Sequence, residues 1–332
     1  MLSRVAESLY WMARYVERAE DLTRALAVHF QALLDAPHQD AERGWASLLA
    51  LTGGEEAFVK HFDQPDDSSV CEFFILHPAN ANAILTCIAR ARENARAVRD
   101  QISSEMWEHL NRLYFAVKDK RVSDFPRGPY EFYRQTRDGS QAFQGITHAT
   151  MTHGEAYHFI QLGKHLERAT QTVRLLGVRY ADVNALQDGT AVATLQLIAI
   201  LKSCSAFEPF RQTAGSHLAA PEVVEFLLLH RRFPRAVFCS LANCSEALQA
   251  VATVTPASRL ERPRQTLGKL CAELEYLDIH EVLGPGMDAF LDGLVRKVHR
   301  VGDEIASTYF STQVILPASR GSRRDQQQQQ QQ

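Results

Sequence analysis

The chain has 332 residues, 45% hydrophobic and 23% charged, with a formal net charge of −3 and a pI near 6.5. A length of this size predicts about two domains of ~150 residues each, and the near-neutral balance gives no global electrostatic reason to expect nucleic acid as a partner. No run approaches the ~18 apolar residues that cross a bilayer, so no membrane role is expected. The first apolar stretch carries Arg4, Glu7, Arg14 and Glu17, so it does not read as a signal peptide. Six cysteines without a Cys-x-x-Cys pair predict buried, reduced thiols in a cytoplasmic protein.

Taken in order, residues 3 to 34 keep helical period. Trp11, Met12, Tyr15, Ala19, Leu22, Leu26, Phe30 and Leu33 share one face. A second helix from Trp45 to Leu51 stops at Gly53-Gly54, and the polar run 64 to 69 is a loop by composition. Glu72 to Leu76 reads as a short buried helix. Between 80 and 117 there is neither proline nor glycine, which predicts one long helix, with a break at Ser103-Ser104 as the alternative. Residues 119 to 140 mix Pro126, Gly128, Pro129 and Gly139 with Phe125, Tyr130, Phe132 and Tyr133, the pattern of a long aromatic loop that is either a lid or a strap.

Helix resumes at Gln141 and is expected to run to Arg179. Further helices are expected near 190–207, 222–229, 235–250, 265–277 and 287–310. No segment has the period of a strand, so the class is all-α. The basic run from Ser319 and the seven closing glutamines predict a disordered tail.

The two halves echo each other. Residues 12–19 return as 162–169 around a shared Glu-Arg-Ala, with Arg24 and Arg174 at the same offset. Glu72 to His77 returns as Glu225 to His230. Two echoes in one order indicate a duplicated helical-bundle unit. The expected division is 1–140, 141–316 and a tail at 317–332.

Chemistry concentrates on charged faces. Arg14, Glu17, Asp21 and Arg24 project within ~80° of one another, and Lys164, Glu167, Gln171 and Arg174 occupy the same arc in the second unit. They form either a solvated face of spaced ion pairs or a functional one. On the helix after residue 83, Leu85, Ile88, Ile102, Met106, Leu110 and Leu113 share a face in whose middle lie Arg92, Arg96 and Arg99. Buried guanidiniums cost several kcal/mol each unless paired. Their expected partners are Glu17, Asp21 and Glu167, or a phosphate or carboxylate ligand.

Other patterns are weaker. Glu155-x-x-His158 has di-iron spacing without a second copy, so neither metal nor cofactor is predicted. His77 and His230 are expected to cap or pack. No glycine-rich phosphate loop or His-Glu-x-x-His is present. Arg231, Arg232 and Arg235 are too few for nucleic acid without aromatic platforms.

Residues 2–20, Ala91-Arg92-Glu93-Asn94-Ala95-Arg96 with Met106-Trp107-Glu108, Leu162 to Arg174, and Arg232-Phe233-Pro234-Arg235 together resemble the alpha-E family. That family is a bacterial helical domain of unknown function named for its Glu-Arg motif, and the resemblance extends to about residue 310. It implies Glu17, Arg18, Glu167, Arg168, Arg92, Asn94 and Arg96 as motif positions. It also implies an ATP-grasp protein or a transglutaminase-like protein as partner in amide- or peptide-bond formation. No catalytic residue carries over, and Lys164 and His165 stand where the first unit has Arg14 and Tyr15. Two functions remain open. One is an accessory component whose polar cleft holds a partner segment or an acidic peptide end. The other is an enzyme of amide-bond chemistry with Glu17 or Glu167 as base and an arginine anion clamp. A purely structural helical scaffold is the bland alternative.

Overall fold

A computed structural model describes residues 1–34, 38–125, 128–184, 190–215, 218–252, 257–283 and 286–311. Among them the chain is helical and without strands, as the missing period-2 pattern predicts. The expected tail at 317–332 lies outside the described residues.

The first half contains α1 (Ser3–Leu34), α2 (His38–Thr52), α3 (Glu55–Val59), α4 (Asp67–Ile75), α5 (Ile84–Ala97), α6 (Ser104–Val117) and α7 (Tyr130–Thr150), with a single 3-10 turn at Val122–Asp124. The second contains α8 (Glu155–Asn184), α9 (Ala191–Ser203), α10 (Phe207–Ala214), α11 (Ala220–Leu229), α12 (Val237–Ala252), α13 (Ala257–Glu275), α14 (Ile279–Val282) and α15 (Met287–Tyr309). The packing repeats with the order. α5 and α7 lie on α1, whereas α12 and α15 lie on α8, and α1 packs against α8 at the centre. The duplicated bundle read from the echoes is therefore present, its two units sharing one seam.

α1 and α8 run side by side in parallel. The Met1 ammonium meets Glu155 at 3.0 Å, Arg14 and Arg18 reach Glu167, and Arg179 meets His29 at 3.3 Å, so each position faces its own repeat. This is the contact pattern of a two-fold axis along the helices. Both faces of α1 are consequently covered. Leu9, Met12, Val16 and Leu26 are buried, and so are Glu17, Glu20 and Arg24. The helices come close at Gly163, where a methyl group would lie 2.2 Å from the Tyr10 carbonyl oxygen.

Three expectations need correction. The helix through 80–117 breaks. Val98 leaves helical geometry (φ −129, ψ 33), and Ser103 caps α6 by accepting a hydrogen bond from the Met106 amide. The aromatic loop is shorter than 119–140, because Phe132, Tyr133, Thr136, Ser140, Phe143 and Thr147 form the buried stripe of α7. Those aromatics are helix core, not a strap, and residue 140 falls inside α7. The helix expected from Gln141 to Arg179 is interrupted after Thr150, where Met151 is extended (φ −100, ψ 136) and Gly154 closes a turn on Thr152.

The two echoed histidines behave as local fasteners. His230 Nδ1 accepts from the amides of Arg232 and Phe233 at 3.2 and 2.9 Å, shaping the turn into α12, and His77 packs on Phe62 and Phe73. No single helix among the described residues is long and apolar enough to cross a membrane. α9 and α10 together carry the required length and composition but are bent by 115°.

Gly163→Ala should destabilise by at least ~2 kcal/mol, because the obstructing atom is backbone and cannot swing away. Gly145→Ala, in the same fold but with open space around the added methyl, should instead stabilise by ~0.5–1 kcal/mol through helix propensity. Thermal melts of the two variants check this opposite response.

Candidate functional site

The parallel seam puts the motif side chains into one cluster. Glu167, fully buried on α8, accepts from Arg14 Nε at 2.7 Å and from Arg18 Nε and Nη2 at 2.7 and 3.1 Å, both from α1. Gln171 adds a fourth donor at 2.8 Å. Glu17, fully buried on α1, receives Arg168 Nε and Nη2 from α8 at 2.6 and 3.0 Å. Each half therefore gives its glutamate to the arginine of the other half. Both Glu–Arg dipeptides are spent on this exchange.

Arg235 is the second anchor. It stands between α11 and α12 and donates to Glu17 at 3.1 Å, to Glu20 at 2.6 Å and to Asp21. Arg24 pairs with the same Glu20 and with the Ser205 hydroxyl, while Gln141 and Gln144 of α7 reach Glu20 and Glu17 at 3.1 and 3.4 Å. Sequence reasoning did not place Glu20, Asn82, Gln141, Gln144 or Arg235 in the network. The usable signal was positional. With the offset of 153 seen in the His77/His230 echo, Arg235 is the repeat of Asn82, and Asn82 accepts from Arg18 Nη1 at 2.9 Å.

Eight expected site residues meet here: Arg14, Glu17, Arg18, Asp21, Arg24, Glu167, Arg168 and Arg174. The other four do not. Arg92 binds Asn111 at 2.6 Å and Glu93 at 2.9 Å and lies over the Tyr114 ring at 4.8 Å. Arg96 is exposed and pairs with Glu93, Asn94 bonds back to the Arg90 carbonyl, and exposed Arg99 covers Trp107 at 4.8 Å. The expectation that three core-facing guanidiniums require Glu17, Asp21 or Glu167 is overturned by the break after Ala97. The stripe that α5 buries is Ile84, Cys87, Ile88, Ala91 and Ala95, so Arg92 and Arg96 flank it and Arg99 lies in the following turn.

Charge sets the behaviour of the cluster. Burial alone would raise the Glu17 and Glu167 carboxyls, but Arg168 and Arg235 on the first, and Arg14 and Arg18 on the second, outweigh it and hold both below the usual range. Asp21 goes the other way. Burial, with Glu17 and Glu20 adding to it against Arg235, raises it to about 7. Burial and then Arg168 lower Lys164 to about 8. Seven basic side chains (Arg14, Arg18, Arg24, Lys164, Arg168, Arg174, Arg235) face four carboxylates (Glu17, Glu20, Asp21, Glu167), so the site is rich in cations. A chamber of about 30 Å³ lies against Arg18, Asp21, Gln171, Arg174 and Arg235. That is room for about two waters, and Glu17 and Glu167 do not line it, their arginine pairs being closed at 2.6–3.1 Å. Among the described residues no cluster of histidine, cysteine or carboxylates could hold a metal ion.

Fold and site define the class: a duplicated all-helical domain whose halves are locked by exchanged glutamate–arginine pairs. A family model described as a predicted alpha-helical domain with a conserved ER motif, Alpha-E, matches residues 1–310, and the chain belongs to the Alpha-E family. Its similar relatives include uncharacterized proteins of Mycobacterium bovis and of two Mycobacterium tuberculosis strains, each 25% identical over 334 residues. The match covers 95% of this chain but only 37% of each of those relatives. No solved structure matches.

Arg168→Ala should cost ~3 kcal/mol, since it removes the paired guanidinium from buried Glu17 and leaves only Arg235 and Gln144 to compensate it, whereas Arg96→Ala should stay within ~0.5 kcal/mol. Chemical denaturation of both variants tests the contrast. A second prediction concerns pH. Asp21 is raised in the fold from 3.8 to about 7, so the folded state binds more protons than the unfolded one across that window, and this residue's contribution falls as pH rises. Asp21→Asn removes that decline. Urea midpoints measured from pH ~4 to ~7 should therefore move in favour of the variant, relative to the parent, as pH rises.

Proposed function

We propose that this Alpha-E chain is a non-catalytic accessory component of an amide- or peptide-bond-forming system, working beside a cytoplasmic ATP-grasp or transglutaminase-like protein. The observation that carries the proposal is the saturation of the motif glutamates. A general base needs a free lone pair within hydrogen-bond reach of a substrate proton. Glu17 and Glu167 are fully buried, and every carboxylate oxygen on them already accepts from a side-chain donor of the network. This favours scaffolding over the enzyme alternative. The coverage of relatives agrees with a module serving within larger proteins, because the match takes up about a third of their length. Six free cysteines, five of them buried, suit a reducing compartment.

The test is co-purification of the tagged full-length chain with the ATP-grasp and transglutaminase-like proteins of its native host. We expect a complex that survives gel filtration at ~10 μM and raises the ligase's amide-forming rate. Absence of any complex at that concentration, or amide formation or hydrolysis by this chain alone, would sink the accessory role.

A further inference from the structure

The duplication supplies its own internal comparison. Arg24 has acids beside it: Glu20 one turn earlier pairs with it, Ser205 accepts from it, Asp21 lies alongside, and Arg235 clamps both acids, with Arg24 Nε and Asp21 Oδ2 left over. Offsets of 150 in the central helices and 152–153 in the flanking ones give the repeat of each position. Arg174 repeats Arg24, but Thr170 stands for Glu20, Gln171 for Asp21, and Asn82 for Arg235. Gly53 stands for Ser205, and both keep the same left-handed backbone (φ 64 and 51).

Arg174 thus lacks the carboxylate, the second acid and the hydroxyl that surround Arg24. Its hydrogen-bond partner is His299 at 3.5 Å, and no carboxylate among the described residues lies within ion-pair distance of it. The carboxylate nearest in effect, Glu167, is already held by Arg14 and Arg18.

Arg174 is half-buried where the small chamber at the seam meets a groove of about 480 Å³, with Leu51 and Thr52 bordering both. The groove is walled by Leu51, Val178, Leu291 and Val295, and its outer lip carries Asp288 and Asp292, exposed one turn apart on α15. The cavity is cationic inside, apolar along its length and anionic at the mouth.

We infer that this groove binds the α-carboxylate of a peptide terminus or amino acid, seated on Arg174, which lacks the acid that Glu20 supplies to Arg24. Its apolar side chain lies along Leu291 and Val295, and a cationic group follows toward Asp288 and Asp292. The chamber has room for the two oxygens of a carboxylate. A phosphate dianion would meet the acidic lip and find one spare guanidinium. This goes beyond the accessory role, since it asks only that the isolated chain bind a carboxylate, with or without a ligase.

The experiment is calorimetric titration of the full chain with N-acetyl-Lys-Ala-Leu bearing a free carboxylate, the same peptide amidated, free leucine, and inorganic phosphate. The expected result is that the free acid binds and that amidation weakens it by about tenfold or more. Arg174→Gln should cause a similar loss with an unchanged or higher melting temperature, because that guanidinium is outside the interlocked pairs. Thr170→Glu should abolish binding independently by restoring the missing internal partner. Asp288→Asn with Asp292→Asn should weaken the peptide more than free leucine. Binding of leucine as tight as the peptide would still support the carboxylate site and assign it to an amino acid. Equal affinity for acid and amide, phosphate binding tighter than either, full binding by Arg174→Gln, or no binding up to ~5 mM would each overturn the inference. None of these outcomes depends on whether a ligase associates.

Discussion

The exchange of glutamates between two parallel helices is the constraint on which the rest depends. A carboxylate withdrawn from water loses several kcal/mol of hydration, and only well-placed donors return it. Glu17 and Glu167 meet that condition because the duplicated helices lie in register, each position against its own repeat. Sliding α8 by one turn would separate Arg168 from Glu17 and Arg18 from Glu167 simultaneously. The ion pairs thus act chiefly as a register lock, and the surrounding packing of Leu9, Met12, Val16, Leu162 and Leu166 supplies the apolar burial.

That lock explains why small details around the seam are inflexible. Gly163 permits the approach that brings guanidinium and carboxylate to 2.6–2.7 Å, and any side chain there would push the helices apart. The flanking helices then serve as donors' supports. The turn that His230 caps presents Arg235, and α7 presents Gln141 and Gln144. Backbone geometry remote from the charges is therefore fixed by the need to satisfy them.

Much of this was legible in the sequence. The repeated Glu-Arg-Ala and the echoed Glu–His segment disclose the duplication, and periodicity finds most helices. The polar partners of the seam were not legible, because no periodicity within α1 says that its charged arc faces another helix and not water. Arg92, Arg96 and Arg99 misled for a related reason. A stripe computed through a continuous helix merged α5 with α6, although Ser103 is an N-cap, and 100° per residue has no meaning across the turn between them. The aromatics of α7 were misassigned because Gly139 and Pro129 weigh as loop formers locally, while burial of Phe132, Tyr133 and Phe143 decides the outcome globally.

Duplication also changes what a buried charge costs to lose. In a single-copy site, deleting Glu20 would leave Arg24 stranded and threaten the fold. With two copies, one can keep the closed set, Arg24 with Glu20, Asp21, Ser205 and Arg235, and maintain the seam. The other lacks that set, with Thr170, Gln171, Gly53 and Asn82 at the matching positions. Arg174 tolerates the loss because it is only half-buried and open to a groove, so water hydrates it in part. A cation kept half out of water, in a cluster already holding more bases than acids, is poised for an anion. The closed copy provides the rigidity that keeps it so.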